Sequence, residues 1–193
     1  MPIVNGYCTL PELKARMQLE DTLDDELIND CINSASRTID NYCDRQFYAT
    51  TEARYFDPPC GELLTFGPFN DLTSVTSVKS DATGDGTFET TWAASEYQLV
   101  PVNRAGPEAR PYTGIRSLGR SWPYAQPSVS SRLIEITGTW GWSAVPSNVK
   151  TACLIQAQRE VKQRYMPSDT TYLPWTVVAS LIDRYRLRPA PVA

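Results

Sequence analysis

The stretch Gly138-Thr139-Trp140-Gly141-Trp142-Ser143-Ala144-Val145-Pro146 constrains this fold more than any other. Just before it, Arg132-Leu133-Ile134-Glu135-Ile136-Thr137 alternates apolar and polar residues, which predicts a half-buried strand. Pro146 stops the chain and Ser147 opens a long amphipathic helix. Two indoles at such a junction are costly to leave in water. Trp140 and Trp142 are therefore expected to pack beneath something, either this chain's own helices or a neighbouring molecule. With no histidine anywhere in the chain, the junction points towards an assembly role rather than catalysis.

A chain of 193 residues, 41% of them apolar, can bury a proper core as one domain or one domain with a large insertion. Mean hydropathy is −0.34 and no apolar run approaches the ~18 residues of a membrane span. Met1-Pro2-Ile3-Val4-Asn5-Gly6 lacks the basic and apolar regions of a secretory signal. The five cysteines, Cys8, Cys31, Cys43, Cys60 and Cys153, are irregularly spaced, with no C-x-x-C pair. They read as reduced, mostly buried thiols of a reducing compartment, and no structural zinc centre is expected.

The net charge of −4 hides a division. Residues 1–100 hold 17 acids and 6 bases, a net of −11, and residues 101–193 hold 5 acids and 12 bases, a net of +7. One reading is that the fold simply mixes these surfaces. The other is that the acidic face of one copy meets the basic face of the next, a heterologous contact that builds rings or filaments. The overall acidity argues against a dedicated nucleic-acid binder.

Thr9-Leu10-Pro11-Glu12 is a capping box with proline in the first turn, so a helix is expected from there to about Leu19. A second helix is expected from Thr22 to about Asp44. Its stripe of Leu27, Ile28, Cys31, Ile32, Ala35, Ile39, Tyr42 and Cys43 repeats every 3.6 residues, and Asp25, Asn29, Asn33, Arg37, Asp40 and Asn41 lie opposite. Strands are expected at 62–66, 73–79, 87–92 and 97–102, with Asp81–Gly86 a hairpin loop. Residues 103–131, rich in Gly, Pro, Arg and Ser, read as a long irregular basic loop. Ser147 is expected to cap a helix to about Tyr165, and a last helix should run from Thr176 to about Leu187. The fold class is thus α+β. Residues 1–50 and 146–193 form a small helical bundle, and residues 51–145 are a β-rich insertion between its halves.

No catalytic constellation is legible. A Ser-His-Asp or Cys-His site is impossible without histidine. Ser147-Asn148-Val149-Lys150 has the S-x-x-K spacing of some acyl-enzymes but none of the accompanying motifs, and Ser147 is explained as a helix cap. Asp81 to Gly86 resembles the start of a calcium loop, yet Trp92 stands where the bidentate Glu should be. No catalytic, cofactor or metal residue is assigned, and no cofactor is expected.

The block Tyr7-Cys8-Thr9-Leu10-Pro11-Glu12-Leu13-Lys14, followed by a helix ending Tyr42-Cys43-Asp44-Arg45-Gln46-Phe47, resembles the head–tail connector (adaptor) proteins of long-tailed bacteriophages. There a "t-l-e-e-l-k" helix precedes a longer one ending "Y-C-x-R-x-F". The later Gly138-Thr139-Trp140-Gly141-Trp142 with Val145-Pro146, leading into a helix that ends Gln163-Arg164-Tyr165, is similar to the family's "G-x-W-x-x-V-P…A…R" block. The resemblance spans about residues 7–56 and 132–165.

It implies a ring of twelve copies in the virion neck, assembled in the host cytoplasm, between portal protein and a stopper or tail-terminator protein. Double-stranded DNA would pass through the ring without sequence-specific binding, helped by an acidic lumen. Asp25, Asp40 and Asp44 are the expected channel-facing residues. Trp140, Trp142, Arg184, Arg186 and Arg188 are the expected interface residues, the arginines and the tail Pro189–Ala193 gripping the portal. Residues 184–193 are expected to be removable without unfolding the chain. The competing reading is a β-sandwich binding module of a tail or baseplate, with the helices as mere attachment.

Overall fold

The computed structural model describes residues 2–103, 110–123, 132–165 and 174–187. The described chain is α+β, with two compact units: residues 1–47 with 144–193, and residues 48–143.

The first unit is helical. α1 (Leu10–Met17) starts as its sequence dictates, the Thr9 hydroxyl accepting from the Glu12 amide and the Glu12 carboxylate from the Thr9 amide. α2 (Asp25–Cys43) buries Ile28, Cys31, Ile32, Ala35, Ser36, Ile39, Asp40 and Cys43. α3 (Ser147–Tyr165) buries Val149, Ala152, Cys153, Ile155, Ala157 and Val161, and packs on both α2 and α4 (Trp175–Ile182). Small residues on both sides of the α2–α3 seam let the two backbones approach closely. A 3₁₀ turn, Asp183–Tyr185, follows α4 and drives Tyr185 into the same core, edge-on to Phe47 with ring centroids 5.7 Å apart. The Lys150 amide donates to Pro146 O, so Pro146 occupies the capping position of α3 and Ser147 lies inside the first turn. The expectation that Ser147 caps the helix is corrected accordingly.

The second unit holds two antiparallel sheets. One has strand order β1 (Thr50–Phe56), β7 (Ile134–Trp140), β3 (Leu72–Ser80), β4 (Thr90–Thr91); the other has β2 (Leu63–Thr65), β6 (Gly114–Ser117), β5 (Tyr97–Val100). A bridge between Leu72 and Tyr112, with backbone hydrogen bonds both ways, links them. The core between the sheets contains Leu64, Phe66, Leu72, Val78, Ile115, Ile134, Ile136 and three tryptophans. Its centre is Trp140, whose ring lies 5.6 Å from Phe56 and 5.5 Å from Phe66, centroid to centroid. Trp92 and Trp122 stack at 4.3 Å nearby. Each indole N–H in this unit is satisfied: Trp140 by Glu52 O, Trp142 by Asp71 Oδ2, Trp92 by Ser80 Oγ and Trp122 by Glu62 O.

Two strands depart from the sequence reading. β1 carries Thr, Glu and Arg and pairs only with β7, so its pattern is that of a polar edge. β6 lies inside the expected basic loop 103–131 and is the central strand of the smaller sheet. Ile115 is its one apolar anchor, fully buried between Gly114 and Arg116, which is too little for a periodicity to show. The rest of that expected loop, 104–109 and 124–131, lies outside the described residues. Gly138 is required where β7 crosses β3, because a Cβ there would stand 2.3 Å from Ser74 O. Gly141, at φ 94°, makes the turn that follows.

Trp140→Ala should destabilise the β unit by about 3–5 kcal/mol, because it empties a site lined by rigid rings. Chemical denaturation followed by near-ultraviolet circular dichroism will measure it. Tyr55→Ala, at a half-exposed position of the edge strand, should change stability by less than about 0.5 kcal/mol.

Candidate assembly surface

The expected interface tryptophans face inward. Trp140 is 0% and Trp142 4% exposed, both within the β unit. Trp142 donates to Asp71, itself buried, and the Gly141 amide donates to Asp71 O. The Gly-Trp junction thus ties the end of β7 to the start of β3, and both indoles are buried within this unit.

The three acids expected on a channel wall separate. Asp25 pairs with Lys14 at 2.7 Å and is half-buried. Asp44 takes the left-handed conformation (φ 53°) that ends α2, and is half-buried. Asp40 is buried, which removes it as a channel-facing residue of this unit. It accepts a short hydrogen bond from the Tyr7 hydroxyl, and Arg37 Nε lies 2.9 Å from its other oxygen. The Tyr7 hydroxyl in turn accepts from the Phe47 amide at 2.8 Å. One buried carboxylate therefore ties the segment before α1 to both the end of α2 and the turn after it. Burial pushes the Asp40 carboxyl up to about 6, against the Tyr7 hydrogen bond and the Arg37 charge, which pull it down. Tyr7 lay in plain view in the Tyr-Cys-Thr-Leu-Pro block, but only its distance from Asp40 in the fold gives it this role.

Of the arginines, Arg184 and Arg186 are exposed. Their guanidinium groups lie over the rings of Tyr185 and Tyr42, at 5.2 and 5.3 Å. Arg188 and the tail Pro189–Ala193 lie outside the described residues. The expected freedom to remove residues 184–193 is corrected by Tyr185, a core residue, and by the Leu187 amide, which donates to Cys43 O.

Charge division by sequence halves is also partly cancelled within one chain. Lys150 of α3 pairs with Glu12 of α1, and Arg16 donates to Gln158 of α3 at 2.9 Å. The Lys150–Glu12 bond is also the main reason the Glu12 carboxyl sits below its usual value. It turns the amine of the S-x-x-K spacing towards α1.

Among the described residues of the helical unit, Val4, Leu23 and Tyr165 are the exposed large apolar side chains. Leu23, between α1 and α2, is 91% exposed, and Tyr165, at the end of α3, is 51% exposed. A hydrogen bond to Asp24, beside Leu23, is the first cause that pushes the Tyr165 hydroxyl up to about 12. Tyr165 is thus tied to Asp24, next to Leu23, and the three residues share one surface patch. Among the described residues one acid cluster, Asp81, Asp85 and Glu89, brings its oxygens within 4.8 Å of one another. The Asp81 carboxylate there already accepts from the amides of Thr83, Gly84 and Gly86 and from the Thr83 hydroxyl.

Residues 7–63 match the family described as phage gp6-like head-tail connector protein. The match takes in α1, α2, β1 and the start of β2. The whole chain has the fold of proteins from gene transfer agent (GTA) particles. One is from the neck of the empty GTA particle computed with C6 symmetry, at TM-score 0.63 and 19% identity. Another is from the neck of the native GTA particle computed with C12 symmetry, at 0.63 and 18%. A third, from the virion of the native gene transfer agent particle, gives 0.63 and 20%. Each covers 100% of this chain and 96% of the other. No curated protein sequence matches the chain.

The pH dependence of Asp40 has a definite sign. Its folded value is raised, so the stability it contributes is full below its unfolded value, near 4, and is lost as pH rises through about 6. Urea titrations of the parent and of Asp40→Asn should therefore show a stability difference that changes by about 2 kcal/mol between pH 4 and pH 7, the parent losing the more. A difference independent of pH would contradict the assignment.

Proposed function

We propose that this chain is a head–tail connector subunit that assembles as a ring of twelve in the neck of a phage-like particle, between portal and stopper or tail-terminator, and extends the DNA channel. The observation that carries this reading is the likeness of the full chain, helical and β units together, to proteins of a neck with C12 symmetry. The connector family match at residues 7–63 supports it from sequence alone. A β-sandwich module with incidental helices would give no reason for the helices to match as well.

In this reading the Leu23–Asp24–Tyr165 patch meets the adjacent subunit, and Arg184 and Arg186, with Arg188 and the tail, meet an acidic surface of the portal. Arginine suits that task, since its planar fork pairs carboxylates bidentately. Asp25, in the first turn of α2, and Asp44, which ends it, remain the acids proposed for the channel wall. DNA would slide past them without being held.

Mass photometry of the purified protein, alone and with its portal, tests the reading. A ring of twelve is expected in one of the two mixtures. Leu23→Asp should leave a monomer of parental melting temperature, since the side chain is exposed, and shift assembly at least tenfold towards it. Removing residues 188–193 should preserve folding and abolish portal binding. Monomers that never assemble, with or without portal, would contradict the ring.

A further inference from the structure

The helical unit contains a pair of thiols that its packing does not need as thiols. Cys8, just before the capping residue of α1, and Cys153, in the second turn of α3, place their sulfurs 3.4 Å apart. Both are buried, at 3% and 0% exposure. We propose that Cys8 and Cys153 are an oxidation site that closes to an intramolecular disulfide when the protein leaves a reducing compartment, locking the N-terminal segment onto α3.

Three observations support this beyond the distance. First, the surroundings favour Cys153 over Cys8 as the attacking sulfur. Ser36 Oγ lies 3.4 Å from Cys153 Sγ. The hydrogen bond from Cys8 is the main cause holding the Cys153 thiol below its ordinary value, and the backbone amides of Tyr7 and Cys8 act the same way against burial. The same bond, with burial, pushes Cys8 up, so Cys153 is the more readily deprotonated of the two. Second, Cys8 sits on a segment that can open locally. Residues 2–8 contain no helix or strand and are held to α2 by side chains, through Asn33, Ser36, Arg37 and Asp40. Such a segment opens far more often than the unit unfolds, which gives a reagent access. Third, among the described residues Cys8 and Cys153 are the cysteines in contact with each other. Cys31 and Cys43 are buried in α2, and Cys60 is exposed in the β unit.

The chemistry balances with a small-molecule disulfide such as oxidised glutathione. The Cys153 thiolate attacks one of its sulfurs, and the first glutathione leaves as thiolate and takes up a proton. Cys8, giving up its proton, then attacks the Cys153 sulfur of the mixed disulfide and expels the second glutathione. Two protein thiols lose two electrons, and one glutathione disulfide becomes two thiols. Intracellular glutathione keeps the pair reduced during assembly, whereas a particle outside the cell meets oxidant without reductant. That last clause rests on the proposed place in a virion; the bond itself does not.

The test is to equilibrate the folded protein with oxidised glutathione, block remaining thiols with an alkylating agent at low pH, digest without reduction and read the peptides by mass spectrometry. A peptide pair linked Cys8–Cys153 is expected, with alkylation retained at Cys31 and Cys43. The mixed disulfide at exposed Cys60 shows that the oxidant was active. The linked form should melt about 5–10 °C higher, since the bond closes a long loop of chain, and Cys8→Ser should lose both the linked peptide and that rise. Modification of Cys60 with Cys8 and Cys153 both still alkylatable would overturn the proposal. Particles harvested into alkylating agent test the compartment clause separately. Finding the link in vitro but reduced chains in particles would overturn that clause alone.

Discussion

The helical unit exists because α2 and α3, from opposite ends of the chain, bury their stripes against each other. Neither half has a core alone. α1 contributes Leu13, and α4 with its 3₁₀ turn contributes Val178, Ile182 and Tyr185. Each fully buried aliphatic side chain here stabilises by roughly 1.5–3 kcal/mol. The seam's small residues, Ala35, Ser36, Ala152, Cys153 and Ala157, decide how near the two helices come. Ser36 carries its polar group into this seam at no loss, since its hydroxyl donates to Ile32 O and accepts from the Tyr7 amide. The whole β unit is therefore an insertion that the seam must tolerate, entering after Phe47 and leaving near Ala144.

Much of this was legible in the sequence because helices announce themselves by a long repeat. The α2 stripe, the capping box at Thr9 and the run from Ser147 to Tyr165 each offer many residues in phase. The strands were legible only where they alternate around a buried face, as β7 and β3 do. β1 is a polar edge, and β6 rests on Ile115 and its backbone ladder, so neither leaves an apolar rhythm. Asp40 shows the limit of the helical wheel. It falls opposite the apolar stripe, yet the segment carrying Tyr7 covers that side of α2 and takes the carboxylate out of water. The tryptophans at 140 and 142 were correctly seen as needing cover, but their cover is the β unit's own phenylalanines and Asp71.

Charge illustrates the same point on a larger scale. An acidic first half and a basic second half suggest partners of opposite sign in neighbouring molecules. The fold returns α3 to α1 and α2, so part of that attraction is satisfied at home, as in Lys150–Glu12. Exposed pairs of this kind contribute little individually. Among the described residues of the helical unit, the large apolar side chains left exposed are Val4, Leu23 and Tyr165.

The central claim is that this chain occupies the neck of a particle as a symmetric ring. Cryo-electron microscopy of the intact particle that encodes it tests this most directly. The account predicts twelve copies around the axis at the junction of head and tail, each with its helical and β units visible and the α2 acids towards the channel. Density for this chain at the baseplate or tail tip, or its absence from the junction, would contradict it.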